Sequence, residues 1–318
     1  MDDTSVSGPG KILFVCSGTP QGRCTPAIEQ QAKALMKHGV EVVFFRIKGR
    51  GMRAYLLSIF KLRRYLGRNK TDLVHAHYGL SGMVARLAGA RPLVVSLMGS
   101  DVFGPGWLFR AARFFTRYLW PVTIVKSREM AKKVGENKVL VIPNGVDMEL
   151  FRELPRELAK SRLKFNDSPL ILWPANPQRA VKNVDLAMKV AERLMCDLKM
   201  VWDIPTEQMV WYYNAADVVL ITSKWEGSPN VVKEALACNV PVVATDVGDI
   251  KHWVSKVEGC FAGPPDAEKL ALLVEKALAY KGRVNGRDKI KELDIKIINN
   301  RLMDVYTAAL NKGLQKTG

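Results

Sequence analysis

Several features are scarce or missing in this sequence, and each absence narrows the class of protein. The five cysteines are an odd number, without a Cys-x-x-Cys pair or a nearby histidine at zinc-ligand spacing, which argues against a disulfide framework or a zinc site. No run of about 18 apolar residues could span a membrane, and residues 1–10 lack the basic and apolar pattern of a secretion signal. We therefore expect a protein of a reducing, cytoplasmic setting.

Acidic residues are scarce in the first half of the chain. Residues 1–142 contain 23 Lys and Arg against 8 Asp and Glu, whereas residues 143–318 contain 25 against 23. The net charge of +17 therefore resides almost wholly in the first half. An excess of this sign indicates a polyanionic partner, either an anionic membrane surface or nucleic acid.

Two stretches concentrate this charge. Residues 46–70 include nine Lys or Arg and no acid, and residues 107–120 combine three arginines with six aromatic residues, again without an acid. This composition is typical of an interfacial helix on anionic lipid, and an ordinary amphipathic helix with a solvated basic side is the alternative. Because no nucleic-acid-binding motif accompanies the charge, we expect contact with an anionic membrane, at the inner face of the plasma membrane, and no nucleic-acid partner.

Short β-branched runs alternate with helical patterns along the chain. Strands are predicted at residues 11–16, 40–45, 72–75, 92–97, 122–125 and 139–142, and then at 169–172, 217–221, 241–244 and 257–261. Helices are predicted at residues 183–194 and 267–279. Such alternation is typical of parallel βαβ units in an α/β fold. The length of 318 residues favours two domains, and Pro143-Asn-Gly is a turn signal that places the boundary near Pro143.

The strongest functional signal is the segment Glu226-Gly-Ser-Pro-Asn-Val-Val-Lys-Glu234, which lies between an apolar strand and a helical pattern. The free N–H groups and positive dipole end of a helix favour a phosphate or a sugar oxygen. A ligand could meet a close backbone approach or main-chain N–H groups at Gly227, Ser228, Asn230 and Val231, while Pro229 offers no N–H. Two glutamates alone are more often solvated features of a surface loop.

The wider sequence resembles the retaining GT-B glycosyltransferases of family 4. The two glutamates form the E-x7-E arrangement, and the segment 241–248 follows it as in that family. Three further segments agree in the family's order: Val74-His-Ala-His-Tyr78, Gly99-Ser-Asp-Val102 and Val141-Ile-Pro-Asn-Gly-Val-Asp147. The resemblance extends from about Lys11 to the last helix.

This resemblance implies an architecture as well as a class. The GT-B fold consists of two Rossmann-like α/β domains that face each other across a cleft. Residues 1–142 would form the acceptor-side domain, and residues 143–318 would form the nucleotide-sugar donor domain. The last helix, about residues 299–311, would pack back on the N-terminal domain.

The resemblance also implies roles for individual residues. Glu226 would contact the donor sugar, and Glu234 would accept hydrogen bonds from the ribose hydroxyls. Arg179 and Lys182 would hold the diphosphate, although their spacing of three residues departs from the family's commoner five. Other implied residues are Gly18 and Gly22 in the turn after the first strand, and His77, Ser100 and Asp101 on the acceptor side.

One position departs from the family. Met98 stands where many members have a histidine, so a contact to the donor hexose is missing, and no general-base histidine is assigned. GT-B enzymes generally rely on helix ends and basic residues for the diphosphate. We therefore expect no metal and no cofactor, and a UDP-sugar rather than a GDP-sugar as the donor substrate.

The expected function is transfer of a hexosyl group, with retention of configuration, to a saccharide or lipid-linked saccharide acceptor in cell-surface or exopolysaccharide synthesis. Two alternatives remain open. A GT-B nucleotide-sugar epimerase would share the donor site but would need acid and base groups facing the sugar. A non-catalytic scaffold for membranes or nucleic acid would use the basic half only, and it has no need for Glu226, Glu234 and Lys182 around one helix start.

Overall fold

The computed structural model describes residues 8–18, 24–49, 51–280 and 282–314. The chain divides into two compact units. The first combines Met1–Gly145 with Ile295–Gly318, and the second is Val146–Asp294. Each unit contains its own parallel β-sheet.

The sheet of the first unit has six strands in the order β2-β1-β3-β4-β5-β6. All neighbouring strands pair in parallel. The strands are β1 (Lys11–Ser17), β2 (Glu41–Ile47), β3 (Leu73–His77), β4 (Leu93–Ser96), β5 (Val122–Val125) and β6 (Leu140–Val141). Each overlaps a predicted strand, so the six strand predictions in this half are confirmed.

The helices between these strands cover both faces of the sheet. They are α1 (Pro26–Lys37), α2 (Gly51–Arg68), α3 (Gly79–Leu87), α4 (Ser100–Phe103), α5 (Gly106–Tyr118) and α6 (Arg128–Val134). The connections through α2, α3, α5 and α6 all step in one direction across the sheet, so right-handed crossovers place these four helices on one face, in that order. The connection through α1 steps the other way and lies on the opposite face.

The core of the first unit lies between the sheet and the layer formed by α2, α3 and α5. Leu62 of α2, Ala85 of α3 and Ala112 of α5 contribute to one buried cluster with the strand residues Val15 and Val95. β1 is buried along most of its length because helices cover both faces of the sheet, as is usual for a parallel sheet. The apolar runs read from the sequence follow from this burial.

The sheet of the second unit has five parallel strands in the order β11-β10-β9-β7-β8. The strands are β7 (Leu170–Trp173), β8 (Asp197–Met200), β9 (Val218–Ile221), β10 (Val242–Thr245) and β11 (Phe261–Gly263). The sequence did not predict β8. It is an edge strand that alternates exposed and half-buried residues, including Asp197 and Lys199, so it lacks the continuous apolar run of a central strand.

The helices of the second unit are α7 (Arg156–Leu163), α8 (Val184–Leu194), α9 (Thr206–Ala215), α10 (Asn230–Ala237), α11 (Ile250–Val254), α12 (Ala267–Ala279) and α13 (Gly286–Lys289). The two helices predicted in this half correspond to α8 and α12. The apolar sides of α8 and α12 pack together in a cluster with β7, β9 and β10.

The last helix, α14 (Ile295–Leu314), lies in the first unit. It packs against α1. The hydroxyl of Tyr306 lies 2.7 Å from Nδ1 of His75 in β3, and Arg301 donates a 2.8 Å hydrogen bond to the carbonyl of Val141 in β6. A C-terminal segment therefore completes the packing of an N-terminal sheet.

The cysteines differ from the expectation at one pair. Cys16, in β1, and Cys24 are joined by a disulfide, which the cysteine count did not predict. The remaining cysteines are free, and burial raises the pKa of the Cys260 thiol to about 12. None of the helices in the described part of the chain combines the length and apolar content that a bilayer span requires.

Candidate active site

The loop between β9 and α10 carries Glu226, the first glutamate of the E-x7-E arrangement, and α10 itself carries the second, Glu234. β9 is fully buried and ends at Ile221, and α10 begins at Asn230. The residue before α10 is Pro229, which provides no side-chain hydrogen bond to cap the helix. The loop therefore approaches a helix start whose first-turn N–H groups point toward the same edge of the sheet.

A second segment is fastened to this loop. After β7 the chain forms a short 3-10 turn, Ala180–Lys182. The amide of Lys224 donates to the carbonyl of Val181 at 2.8 Å, and Oγ1 of Thr222 donates to the carbonyls of Lys182 and Asn183 at 2.9 and 3.0 Å. These bonds hold the turn against the end of β9, so the position of Lys182 is tied to that of the E-x7-E loop.

The consequence is a direct ion pair. Nζ of Lys182 donates to Oε1 of Glu226, and Oγ of Ser223 donates to the same carboxylate oxygen at 2.7 Å. The side chains of Lys182 and Glu226 are 16% and 14% exposed. Both groups are thus partly shielded from water, which strengthens their interaction, yet they remain open to a ligand. The structure brings together the two predicted residues that lie 44 positions apart.

The end of β10 and the loop that follows it contact the loop between β9 and α10. Oγ1 of Thr245 donates to the carbonyl of Ser223 at 2.6 Å, and Oγ of Ser228 donates to Oδ2 of Asp249 at 2.5 Å. Gly248 has a φ of +64°, and a Cβ at this position would lie 2.7 Å from the carbonyl oxygen of Glu226. Glycine is required there because the two loops pack backbone against backbone.

Glu234 is placed by helix α10 and by a buried tyrosine. The hydroxyl of Tyr213, a fully buried residue of α9, donates to Oε2 of Glu234 at 2.7 Å. Burial raises the pKa of the Glu234 carboxyl to about 7, against the opposing effects of the tyrosine hydroxyl and of Lys233. Burial also lowers the pKa of Lys233 to about 8. Glu234 thus changes its charge near neutral pH.

Arg179 is the predicted diphosphate residue that the structure does not join to the others. It is exposed at the start of the 3-10 turn, where its amide donates to the carbonyl of Asn176. Within the described residues, no hydrogen bond or ion pair of its side chain is recorded. Its guanidinium is therefore free to turn toward a ligand, but no contact holds it beside Lys182.

Two histidines of the first unit, His75 and His77, are buried in the second half of β3. Nδ1 of His75 contacts the Tyr306 hydroxyl and Nε2 contacts Oγ of Ser96 at 2.9 Å. His77 is 1% exposed, and within the described residues neither ring nitrogen has a hydrogen-bond partner. Burial, aided by the charge of Lys126, holds the pKa of both histidines well below its ordinary value. Both imidazoles are therefore neutral at physiological pH.

Asp101 supports the backbone. Its carboxylate, which is 0% exposed, accepts hydrogen bonds from the amides of Gly79, Met98 and Gly99 at 2.9 to 3.1 Å. The aspartate therefore fixes the turns that follow β3 and β4. Ser100, which is half-buried, is the predicted neighbour with an accessible side chain.

The sequence also implied a role for Gly18 and Gly22 and predicted that no metal is bound. Gly18 directly follows β1, and its amide donates to the carbonyl of Ile47 at 3.1 Å. Gly22 lies outside the described residues. Among the residues that are described, no group of three or more metal-binding side chains is found.

Sequence reasoning missed several residues that shape these sites. Ser223, Thr222, Thr245 and Asp249 hold the donor-side loops, and Tyr213 meets Glu234. Ser223 precedes Glu226 by three residues, so a local signal for it existed. Tyr213 lies on a different helix, and only the fold brings it to Glu234.

In the first unit, Tyr78 was also missed as an individual residue. It adopts a φ of +86° and a ψ of 141° at the turn from β3 into α3, a conformation rare for a residue with a side chain. Burial raises the pKa of its hydroxyl to about 12.

Comparison with solved structures identifies the fold. Solved structures superimpose over nearly the whole chain. Sucrose-phosphate synthase from Thermosynechococcus elongatus matches with a TM-score of 0.76 and 18% identity, covering 95% of this chain and 100% of that one. The Anabaena protein Alr3699/HepE, solved in complex with UDP-glucose, matches with a TM-score of 0.73 and 18% identity over 94% of this chain and 99% of that one. The fold is GT-B, as predicted.

Family models refine this class. Residues 13–150 match the model described as Glycosyltransferase Family 4, and residues 191–293 match the model described as Glycosyl transferases group 1. Together with the structural neighbours, these matches support a GT-B glycosyltransferase of family 4.

Individual curated relatives agree. The putative teichuronic acid biosynthesis glycosyltransferase TuaC of Bacillus subtilis is 30% identical over 63% of this chain and 59% of the relative. A D-inositol 3-phosphate glycosyltransferase of Geodermatophilus obscurus is 25% identical over 66% and 60%. The chain thus spans about three fifths of the length of these relatives. A D-inositol 3-phosphate glycosyltransferase of Thermobispora bispora is 23% identical over 90% of this chain and 83% of the relative.

Proposed function

We propose that this protein is a retaining glycosyltransferase that moves a hexosyl group from a nucleotide-sugar to a saccharide or a lipid-linked saccharide. The observation that carries the proposal is the Lys182–Glu226 ion pair beside the start of α10. A nucleotide-sugar requires a cation for its diphosphate and a hydrogen-bond acceptor for its sugar hydroxyls. Both are present side by side, next to main-chain N–H groups that favour a further phosphate oxygen.

The ion pair also suggests how the contacts of the site change when a donor binds. A diphosphate oxygen would replace Glu226 as the partner of Lys182. Glu226 would keep its hydrogen bond from Ser223 and turn its freed acceptor capacity to a sugar hydroxyl. Because Lys182 and Glu226 neutralise each other, neither charge is left unpaired before the donor arrives. Exposed Arg179 would add a second cation to the diphosphate.

The chemistry then needs no side-chain base. The bond between the anomeric carbon and the diphosphate oxygen breaks, and the acceptor oxygen forms its bond to that carbon on the same face. The acceptor's proton passes to the departing phosphate oxygen, so the products are the glycoside with retained configuration and the nucleoside diphosphate. Lys182 and the α10 N–H groups would stabilise the charge that develops on the diphosphate. Buried, neutral His75 and His77 are not required for proton transfer.

The relatives guide the choice of substrates. A neighbour of this fold was solved with UDP-glucose, which favours a UDP-hexose as donor. Curated relatives are named for teichuronic acid biosynthesis and for D-inositol 3-phosphate. We therefore propose a role in the synthesis of a cell-surface polysaccharide, at the cytoplasmic face of the plasma membrane and without a metal ion.

Thermal-shift measurements with UDP, GDP and ADP test the donor. A nucleotide at about 100 times its Kd should add ~2.7 kcal/mol of stability, and we expect UDP to give the largest shift, unchanged by EDTA. NMR of the product made from the matching UDP-hexose should show the anomeric configuration of the donor. The proposal fails if no nucleotide stabilises the protein, or if the product has the inverted configuration. Conversion of the donor alone into an isomer would instead identify an epimerase.

A further inference from the structure

Helices α2, α3 and α5 are neighbours in the layer that covers one face of the first unit's sheet. Their sequences contain no Asp or Glu, and they contain nine basic residues: Arg53, Lys61, Arg63, Arg64, Arg68, Arg86, Arg110, Arg113 and Arg117. The sides of these helices that face the sheet are apolar and buried. The basic side chains therefore lie on the side that faces away from the sheet, where the surface potential is strongly positive.

Large apolar side chains are exposed on the same surface of α2. Ser58 and Leu62 are the buried residues of this helix. On the opposite side, Leu56, Leu57 and Phe60 are 53%, 59% and 72% exposed. Their spacing places them on one stripe, with an arginine on the turns before and after it at positions 53 and 64. Exposing three adjacent apolar side chains to water is unfavourable, so this stripe is suited to an apolar partner.

Helix α5 repeats the arrangement with aromatic residues. Leu108, Ala112 and Thr116 are buried, and the opposite side exposes Trp107 at 53%, Phe114 at 54% and Tyr118 at 63%. The arginines at positions 110 and 117 lie between and beside these rings. Helix α3 lies between α2 and α5, so the two stripes are separated by one helix, a distance of about 20 Å for interaxial spacings of 8–10 Å.

We propose that the outer surface of α2, α3 and α5 docks on the headgroup region of an anionic phospholipid bilayer. The apolar and aromatic side chains enter the boundary between headgroups and acyl chains, and the arginines contact lipid phosphates. Two stripes about 20 Å apart on one layer give two points of attachment, which fixes the orientation of the unit on the membrane. This surface deepens the proposed function, because it brings a lipid-linked acceptor to the enzyme.

The chemistry of the surface selects this partner over two others. Single-stranded nucleic acid would use the arginines and the aromatic rings, but it offers nothing apolar to cover Leu56 and Leu57. A second copy of the chain, joined through the same face, would oppose nine basic residues with nine more and supply no acid. An anionic bilayer supplies both the negative charge and the apolar interior.

Flotation with lipid vesicles tests the proposal on the full-length protein. Vesicles of phosphatidylcholine with about 30% phosphatidylglycerol would be compared with pure phosphatidylcholine, at about 0.05 M and about 0.5 M salt. Phe60→Ser with Phe114→Ser removes apolar contacts, and Arg53→Glu with Arg64→Glu reverses charge. Met195→Ser, a residue 95% exposed in the second unit, and Lys269→Glu with Lys276→Glu, on α12, are the matched controls.

We expect the wild type and both controls to float with the anionic vesicles at low salt and to be released at high salt. Each of the two double variants of the proposed docking surface should weaken partitioning of the protein onto the anionic vesicles at least about tenfold. Wild type that does not float, or docking-face variants that float like the controls, would overturn the proposal. If the protein binds an RNA oligonucleotide but not the vesicles, the partner of this surface is nucleic acid and the proposal is wrong. If the protein forms a concentration-dependent dimer that Phe60→Ser abolishes, the partner is a second copy of the chain and the proposal is again wrong.

The same variants separate this inference from the proposed reaction. The thermal shift with UDP should be unchanged in every docking-face variant, since the donor residues lie in the second unit. Flotation of a protein that UDP does not stabilise would support the membrane-docking surface and contradict the proposed reaction. Stabilisation by UDP without flotation would support nucleotide binding and contradict the membrane-docking surface.

Discussion

The two units place polar side chains at the same kind of location, the carboxyl ends of parallel strands, but use them differently. In the second unit, Lys182 and Glu226 are 16% and 14% exposed and bind each other. In the first unit, Asp101 is 0% exposed and binds backbone amides, and His77 is 1% exposed. We propose that a ligand exchanges partners with the first pair, whereas Asp101 stabilises the fold through its contacts with the amides. Burial and partners therefore separate binding residues from supporting residues where a motif alone does not.

Removing the supporting carboxylate should give the largest effect. Asp101→Ala leaves the buried amides of Gly79, Met98 and Gly99 without their acceptor, so we expect a loss of ~3–5 kcal/mol in the free energy of unfolding, measured by urea denaturation. Asp266→Ala is the control, because that carboxylate caps the exposed start of α12 and should cost only ~1 kcal/mol. Equal losses in the two variants would show that Asp101 is not the support that the structure indicates.

Breaking the exchangeable pair should act on binding. Lys182→Ala removes a charge-assisted contact to the diphosphate, and we expect UDP binding to weaken by ~1.5–3 kcal/mol in calorimetry. Lys291→Ala breaks an ion pair with Asp288 that is about two-thirds exposed, and it should leave UDP affinity unchanged. Unaltered UDP affinity in Lys182→Ala would remove this lysine from the donor site.

How much of this contrast could be read from the sequence depends on the range of the interactions. Central strands follow from local apolar runs, whereas the edge strand β8 has no such run and was missed. The E-x7-E segment is contiguous, so Glu226 and Glu234 could be named in advance. The burial of Asp101 and the contact of Tyr213 with Glu234 arise from segments distant in the chain, which no local pattern encodes. The motif indicates where the site lies, and the tertiary contacts determine what each of its residues binds.

Glu234 adds a dependence on pH to the donor side. Its pKa is raised to about 7, so between the ordinary pKa of 4.5 and about 7 the folded protein holds a proton that the unfolded chain has lost, and the stability of the fold falls as the pH rises through this range. Glu234→Gln should therefore raise the Tm relative to wild type more at pH 8 than at pH 5. The ionised form is the better acceptor for ribose hydroxyls, so wild-type UDP affinity should fall about tenfold from pH 8 to pH 6.

The glutamine variant supplies the control for this pH dependence. Glu234→Gln lacks this titrating group, so its UDP affinity should be weaker at pH 8 and should keep only the pH dependence that comes from the terminal phosphate of UDP, whose pKa is about 6. Glu226→Gln should instead lower turnover more than affinity, because charge develops on the sugar during reaction and the ribose changes little. An identical pH profile in wild type and Glu234→Gln would assign the titration to another group, and equal losses of affinity and turnover in both variants would remove the division of roles.

The smallest expected effect sharpens the comparison from within the donor side. Ser223 is 1% exposed and, on the evidence of its 2.7 Å bond to Oε1, orients the Glu226 carboxylate without reaching the ligand itself. Ser223→Ala should therefore lower kcat about fivefold to tenfold, as expected for the loss of one hydrogen bond to a charged group, and leave UDP affinity unchanged. Steady-state kinetics with calorimetry of UDP make the measurement, and Ser255→Ala, at an exposed serine of the same unit, is the control. If UDP affinity falls in step with turnover, Ser223 supports the whole loop and not one carboxylate; if neither changes, Lys182 alone is enough to hold Glu226 in place.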